Sequence, residues 1–99
     1  MSFVTTQPEA LASAAAELDS IGAAMEAGDA SVATPTTAII PAAADQVSAL
    51  TAAQFSAQGQ LYQAVSAQAL AIHEMFVTAL STSATTYAAT EAANALLAE

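Results

Sequence analysis

The one histidine of this sequence is the first residue to test for chemistry. His73 is followed by Glu74, but adjacent residues diverge by about 100° around a helix and cannot share a ligand. Metal ligands on one helix stand three or four residues apart. No carboxylate stands at either spacing from His73, so we interpret it as a packing residue or a residue at the rim of an interface.

Two carboxylates, Glu26 and Asp29, have the spacing that places them on one helical face. Without an oxygen-rich loop they form a weak cation site at best, and a solvated face is the simpler interpretation. The sequence contains no nucleophile elbow, Walker loop or dinucleotide-binding glycine motif. We therefore predict no catalytic, cofactor-binding or metal site and expect a protein that is not an enzyme.

A third pair, Tyr87 and Glu91, forms a Tyr-x-x-x-Glu spacing near the C-terminus. This spacing places both side chains on one face of a helix. Taken alone it is a weak motif, because a local contact between a tyrosine and a carboxylate explains it equally well.

The charge balance excludes several classes of partner. The chain of 99 residues has nine Asp or Glu, no Lys or Arg, and a formal net charge of −9. Nucleic acids and anionic membrane surfaces attract basic residues, so neither is an expected partner. A hydrophobic content of 56% argues against a disordered chain. The absence of cysteine leaves the redox compartment open.

Membrane insertion and general secretion are not expected either. Polar residues interrupt every apolar run before it reaches the roughly 20 residues that a spanning helix needs. The first 20 residues carry no basic residue and include Glu9, Glu17 and Asp19, unlike a signal peptide. If the protein leaves the cell, it uses another route.

Proline and glycine divide the single predicted domain, residues 1–99, into two helices. The first is predicted over about 8–33, followed by a Pro/Thr connector over 34–41 that contains Pro35 and Pro41. The second is predicted over about 42–80 or beyond, with Gly59 as its weakest interior position.

The sequence does not decide which residue caps the first helix or how far the second helix extends. At the N-terminus either Thr6 caps the first helix in a capping box with Glu9, or Gln7 caps it and Pro8 is its first residue. At the other end, the Ser/Thr-rich start of the segment 81–99 is a weak helix former, and a mobile tail is expected at the terminus.

The first helix carries one narrow apolar stripe. Leu11, Leu18 and Met25 recur every seven residues, which is typical of packed helices. With Ile21 they span about 80° of the helix surface. This stripe predicts contact with one neighbouring helix.

The second helix carries more apolar surface than one neighbour can cover. A stripe that can face the first helix consists of Val47, Leu61, Tyr62, Val65, Ile72, Phe76 and Leu80. Large apolar side chains nevertheless cover about 220°, whereas a helix with one neighbour shows about 100°. The residues predicted to fill the hairpin and partner interfaces are Leu11, Leu18, Ile21, Met25, Phe55, Leu61, Tyr62, Val65, Leu70, Ile72, Phe76, Val77 and Leu80.

The excess apolar surface predicts an obligate partner without identifying it. A two-helix hairpin lacks a third layer to complete a core and is expected to be marginal or molten alone. Completion of a four-helix bundle by a second copy or by a different protein satisfies the pattern equally. A homo-oligomeric structural bundle therefore remains the alternative at this point.

Three stretches resemble the mycobacterial PE family, which is named for a Pro-Glu pair near the N-terminus. Pro8-Glu9 stands where that pair is expected, after the opening Met1–Val4. The stretch Thr37–Ser48 and the Tyr87-x-x-x-Glu91 tail also resemble PE sequences. The resemblance covers essentially the whole chain.

The resemblance implies a fold, a partner and a route. The implied fold is an all-α antiparallel hairpin that completes an elongated four-helix bundle with a PPE-family protein as a 1:1 heterodimer. The implied route is type VII (ESX) secretion from the cytoplasm to the cell surface or the medium, with Tyr87 and Glu91 as the secretion signal. A chaperone is expected only through the PPE partner. Many PE proteins carry a C-terminal extension, so this chain is either a stand-alone PE protein or a domain of a longer one.

Overall fold

The computed structural model describes residues 4–98 and contains two helices, α1 at Pro8–Thr37 and α2 at Gln46–Leu97. The described residues include no strand, so the predicted all-α hairpin is confirmed. Residues 1–3 of the opening motif and Glu99 lie outside the described residues.

The start of α1 follows the second of the two predicted caps. The carbonyl of Gln7 accepts hydrogen bonds from the backbone N–H groups of Ala10 and Leu11, at 3.0 and 3.3 Å. Pro8 is therefore the first helical residue, where its missing N–H has no intrahelical partner to lose. Thr6 stands outside the helix and has a different contact, with Glu91.

The end of α1 lies four residues beyond the predicted residue 33, at Thr37, so Pro35 lies inside the last turn. The hydroxyls of Thr36 and Thr37 donate to the carbonyls of Val32 and Ala33, at 2.7 and 2.6 Å. Threonine is a poor interior residue, but these bonds keep both hydroxyls within the helix, where they do not compete with its backbone hydrogen bonds. The helix thus continues past the proline to Thr37.

The connector is shifted toward the C-terminus, and α2 begins at Gln46 rather than at residue 42. Asp45 caps it: its carboxylate accepts from the Ser48 N–H at 3.3 Å, and its carbonyl accepts from the Ala49 N–H at 3.1 Å. A hydrogen bond from the Ser48 side chain, and to a lesser extent the bond from its backbone N–H, lowers the pKa of the Asp45 carboxyl. An aspartate at the helix N-cap is more favourable than the proline start predicted at Pro41.

The second helix continues through the segment in which the sequence predicts weakening. It has 52 residues and ends at Leu97. Each of three threonines donates its hydroxyl to the carbonyl four residues earlier: Thr85 to Ser81, Thr86 to Thr82 and Thr90 to Thr86. These hydroxyls stay within the helix instead of competing with it, and the tail expected to be mobile is helical as far as Leu97.

The chain divides into two compact units. One combines the residues up to Gly22 with those from His73 onward, and the other is Ala23–Ile72. In the first unit Ala15 and Ala84 are buried, and in the second Ala52 is buried. All three buried apolar residues are alanines, so each unit is held together by small side chains at the contact between the helices.

Glycines occupy the closest approach in each unit. In the first, a Cβ on Gly22 would lie 2.8 Å from the His73 ring. In the second, a Cβ on Gly59 would overlap the carbonyl oxygen of Thr36. Gly59 is therefore a packing requirement, and its helix-weakening cost is offset by the close approach that it permits.

Candidate interaction surface

Most large apolar side chains of α2 lie outside the contact with α1. Six of the seven residues in the stripe predicted to face α1 are more than half exposed, and Leu80 alone of the seven is half-buried. The exposed fractions are Val47 72%, Leu61 57%, Tyr62 54%, Val65 56%, Ile72 62% and Phe76 54%. The half-buried or buried positions of α2 instead recur every three or four residues, as in Gly59, Gln63, Ser66 and Leu70. The prediction that this stripe faces α1 is wrong for all of its residues but Leu80, and the true contact face is rotated from the centre of the stripe by about 110°.

The physical reason is the size of the contact residues. Helices approach most closely where side chains are smallest, and interaxial distance depends on the residues at the contact. Gly59 lies against the backbone of Thr36, a distance that a row of Leu and Phe would not allow. Large side chains are consequently displaced to the outer surface.

The predicted interface residues other than Leu61, Val65, Ile72 and Phe76 are divided between the contact with the other helix and the outward surface. Five of them are half-buried, namely Leu11, Leu18, Leu70, Val77 and Leu80. Four more are half or more exposed, namely Ile21, Met25, Phe55 and Tyr62. The first group contributes to the edges of the hairpin contact, and the second extends the outward apolar face onto α1 and the start of α2.

An apolar cleft opens beside Gly59 in the unit Ala23–Ile72. Its volume is about 420 Å³. The cleft is lined by Val32, Thr36, Ile39, Phe55, Gln58, Gly59 and Tyr62. It is large enough for an apolar side chain of another protein.

Asp29 joins the two helices in the same unit. Its carboxylate accepts from the Tyr62 hydroxyl at 2.8 Å and from the Ser66 hydroxyl. Its backbone carbonyl accepts from the Gln63 amide at 3.1 Å. The interpretation of Asp29 as part of a freely solvated face is therefore wrong, although the neighbouring Glu26 is exposed.

These bonds shift two pKa values in opposite directions. The bond from Ser66, and next the bond from Tyr62, lower the pKa of the Asp29 carboxyl. The same bond to Asp29 raises the pKa of the Tyr62 phenol. Both shifts favour the form in which an ionised carboxylate accepts from a neutral phenol.

His73 has a packing position, in the unit that also contains Leu18 and Gly22. Its Nε2 lies 2.6 Å from the backbone carbonyl oxygen of Leu18. A carbonyl oxygen can only accept, so Nε2 carries the proton and donates. The ring lies against Gly22, and its role in the structure is to hold α2 against α1.

Glu91 is held by the N-terminal segment. The backbone N–H and the hydroxyl of Thr6 both donate to Glu91 Oε1, at 3.1 and 3.0 Å. Glu91 is half-buried, whereas Tyr87, one helical turn earlier, is 46% exposed. The sequence did not indicate this partner for Glu91, because the two residues are 85 positions apart.

Two further observations concern the surface as a whole. By length and composition alone, α2 contains a stretch that could cross a membrane, and none of that stretch is buried. This is weak evidence, because an apolar helix covered by other helices meets the same criteria; the absence of membrane insertion stays a prediction.

Among residues 4–98, no group of three or more His, Asp or Glu side chains could hold a metal ion.

Comparison with known proteins gives a consistent match. A model of the PE family matches residues 4–94. The PE family protein PE13 of Mycobacterium tuberculosis is 59% identical over 95 residues, which are 96% of this chain and 96% of PE13. The PE family protein PE8 of the same organism is 60% identical over 94 residues, which are 95% of this chain and 34% of PE8.

Other relatives extend well beyond the matched region. Esterase PE16 of M. tuberculosis is 53% identical over 97 residues, which are 98% of this chain but 18% of PE16. The chain thus spans nearly the whole of one relative, about a third of PE8 and less than a fifth of PE16.

Proposed function

This chain belongs to the PE family, and we propose that it is a non-catalytic helical module that pairs with a PPE-family protein as a 1:1 heterodimer. In this proposal the heterodimer is a four-helix bundle, and the chain directs the complex to type VII secretion. The observation that carries the proposal is the outward apolar face of α2, with Phe55, Leu61, Val65, Ile72 and Phe76 each more than half exposed.

The exposed area supports a large partner interface. The chain has an accessible surface of 7208 Å². A compact monomer of 9.8 kDa exposes about 5,200 Å² by the scaling of surface with mass. The surplus of about 2,000 Å² is of the order that one side of a large obligate interface buries. A third and a fourth helix would cover it.

Charge favours a different protein over a second copy. Each chain has a net charge of −9 and no Lys or Arg, so a homodimer would carry twice that charge, −18, with no basic side chain to offset it. Like charges brought together at an interface oppose association. A partner that contributes Lys or Arg around the apolar face avoids this repulsion.

The cleft of about 420 Å³ beside Gly59 offers a place for a partner side chain. Binding hot spots are aromatic or other large side chains that fill well-packed pockets. Phe55 and Tyr62 on its walls would pack against such an anchor. The cleft and the exposed face of α2 are both available for one docking helix pair.

The proposal assigns no chemistry to residues 4–98. The name of Esterase PE16 describes a protein of which the match covers 18%. Within the matched region His73 donates to a backbone carbonyl and packs against Gly22. A histidine held in this way is a structural residue, which supports a role in binding.

The export route rests on the family resemblance of Tyr87 and Glu91. We assign these residues as the secretion signal, with delivery from the cytoplasm to the cell surface or the medium. Tyr87 is 46% exposed, so its ring is available to the secretion machinery. Any chaperone would bind through the PPE partner.

Co-expression tests the partner. The chain produced alone is expected to aggregate or fold poorly, whereas co-expression with its cognate PPE protein gives a soluble complex whose mass by light scattering corresponds to one copy of each. A stable monomer with a sharp thermal transition would contradict the proposal. A well-folded homodimer would support the homo-oligomeric bundle instead.

Export of variants tests the signal separately. Tyr87→Ala is expected to abolish export from a mycobacterial host while leaving the complex with the partner intact. Thr90→Ala, at the same end of α2, is the control and should be exported normally. Normal export of Tyr87→Ala would end the assignment without affecting the partner proposal.

A further inference from the structure

One carboxylate joins the N-terminal segment to the end of α2. Both donors of Thr6, the backbone N–H and the hydroxyl, converge on the same oxygen of Glu91, at 3.1 and 3.0 Å. Thr6 and Glu91 are both half-buried. Two bonds from one residue to one oxygen restrict the rotation of the Glu91 side chain. Bonds to an ionised acceptor are also stronger than neutral ones.

The burial pattern of α2 shows why this contact matters. Ala84 is the last buried residue of the helix. Among the described residues after it, Glu91 alone is not exposed. In these last turns Glu91 is thus the described residue that is half-buried, and its carboxylate is bound by Thr6.

The local sequence makes such an attachment necessary. The segment 81–90 contains one serine/threonine triplet, one threonine pair and a single threonine, all weak helix formers, and helix ends fray unless they are tied down. Thr6 itself is well placed to tie down the end, because the Gln7 carbonyl caps α1 immediately after it. Its position is thereby fixed relative to the start of α1.

We infer that Thr6 is a positioning residue for the export signal. It holds the Glu91 carboxylate and the last turns of α2 against the start of α1, so that Tyr87 and Glu91 are presented together on an ordered helix. The partially exposed Tyr87 ring then stands one turn from a carboxylate of fixed orientation. This inference rests on the proposed function, in which that pair is recognised during export.

The sequence offers well-matched variants. Thr6→Val keeps the shape of the side chain and the backbone N–H but removes the hydroxyl donor. Thr6→Ser restores a hydroxyl. Thr5→Val makes the same change at the neighbouring exposed threonine, and Tyr87→Ala reports on the signal itself.

Two measurements are made on the complex of the chain with its partner. Amide hydrogen exchange of residues 85–97 reports local opening of the end of α2, and the ratio of exported to intracellular protein in a mycobacterial host reports signal function. Thr6→Val is expected to raise the exchange of this segment by about ten-fold, the effect of losing one hydrogen bond to a charged group. Its export should fall several-fold, while Thr6→Ser and Thr5→Val behave like the parent chain.

Other results for these variants would contradict either the inference or the proposed function on which it rests. Unchanged exchange in Thr6→Val would show that the hydroxyl does not hold the helix end, and the inference would be wrong. Raised exchange with normal or increased export would show that order at this end is not needed, which overturns it as well. Normal export of Tyr87→Ala would remove the proposed signal, whereas blocked Tyr87→Ala with normal Thr6→Val would remove the inference alone.

Discussion

Gly59 of α2 lies directly against the backbone carbonyl of Thr36 in the last turn of α1, with no room for a Cβ between them. Because the obstructing atoms belong to the backbone, the contact cannot be relieved by a side-chain rotation. The distance between the helices at this point is set by the absence of one methyl group.

Gly59→Ala is expected to destabilise the hairpin in spite of the better helix propensity of alanine. The gain in propensity is about 1 kcal/mol, whereas forcing the two backbones apart costs about 1–3 kcal/mol or more and disturbs neighbouring contacts. We expect a net loss of about 1–2 kcal/mol in the free energy of unfolding, measured by denaturation of the complex with the partner. A variant as stable as the parent would show that the helices do not approach this closely.

Gly22→Ala is expected to have a smaller effect of the same sign. Its Cβ would lie 2.8 Å from the His73 ring, and the ring can move if it gives up its bond to the Leu18 carbonyl. Loss of that bond costs about 1 kcal/mol, and the strain of repacking adds to it. Denaturation midpoints should rank this variant between Gly59→Ala and the parent.

The control for both is Gly28→Ala. Gly28 is exposed in the interior of α1, and nothing lies within 4 Å of a Cβ built there. Alanine should therefore stabilise the protein by about 0.5–1 kcal/mol through helix propensity. The three substitutions make the same chemical change, so any difference between them reports the packing around each glycine.

The Asp29 cluster gives a pH dependence with a defined sign. The pKa of Asp29 is lowered below its ordinary value of 3.8, so its contribution to stability is present above that value and is lost as pH falls through the folded pKa. The pKa of Tyr62 is raised above 10.0, so its contribution is present below that value and is lost as pH rises through the folded pKa. Both contributions are complete between about pH 5 and 9, since each titration extends about one pH unit past the ordinary pKa.

Titration of the Asp29 carboxyl by NMR in two variants checks the causes. Ser66→Ala should return the pKa of Asp29 toward its ordinary value more than Tyr62→Phe does, because the bond from Ser66 has the larger effect. Equal pKa values in the parent and in both variants would contradict the hydrogen bonds. Ala64→Ser, which adds a hydroxyl on the exposed side of α2 about 160° from Ser66, should leave the pKa of Asp29 unchanged.

The outward face should govern partner affinity independently of the hairpin. Phe76 is 54% exposed, so Phe76→Ser should leave the helical content of the co-purified complex unchanged. It should weaken binding of the PPE partner by about 2–4 kcal/mol if the ring is an interface anchor. Glu74→Gln, on a different side of α2, is the matched control. Equal partner affinity in both variants would place the interface elsewhere.

The helical class, the hairpin and the family were predictable, because two proline-bounded apolar segments and the Pro8-Glu9 pair indicate them directly. The helix ends were less predictable. At Thr37 and again at Thr85–Thr90 the threonine hydroxyls donate to carbonyls within the helix. Helix propensities do not distinguish these threonines from ones whose hydroxyls bond to a non-helical backbone, so the helices were predicted to end too early.

The direction of the apolar face was predicted incorrectly because large side chains were taken to mark the contact between the helices. The correct signal was a seven-residue repeat of small or polar residues on each helix. The repeat consists of Ala15, Gly22, Asp29 and Thr36 on α1, and of Ala52, Gly59, Ser66 and His73 on α2. A helix-interior glycine within such a repeat indicates close backbone approach. The Thr6–Glu91 contact had no comparable signal, since nothing local relates residues so far apart in sequence.

The alanine and glycine residues at the contact between the helices allow two roles to be carried by different side chains: holding the helices together and forming the outward surface. Here small residues hold the two helices together, while the large apolar residues face outward. After gene duplication, such a chain can acquire substitutions at its outward apolar side chains. In the proposed complex these would change which partner it binds, without repacking the contact between the two helices. The hairpin is therefore a scaffold on which new pairing specificities can evolve at little cost to folding.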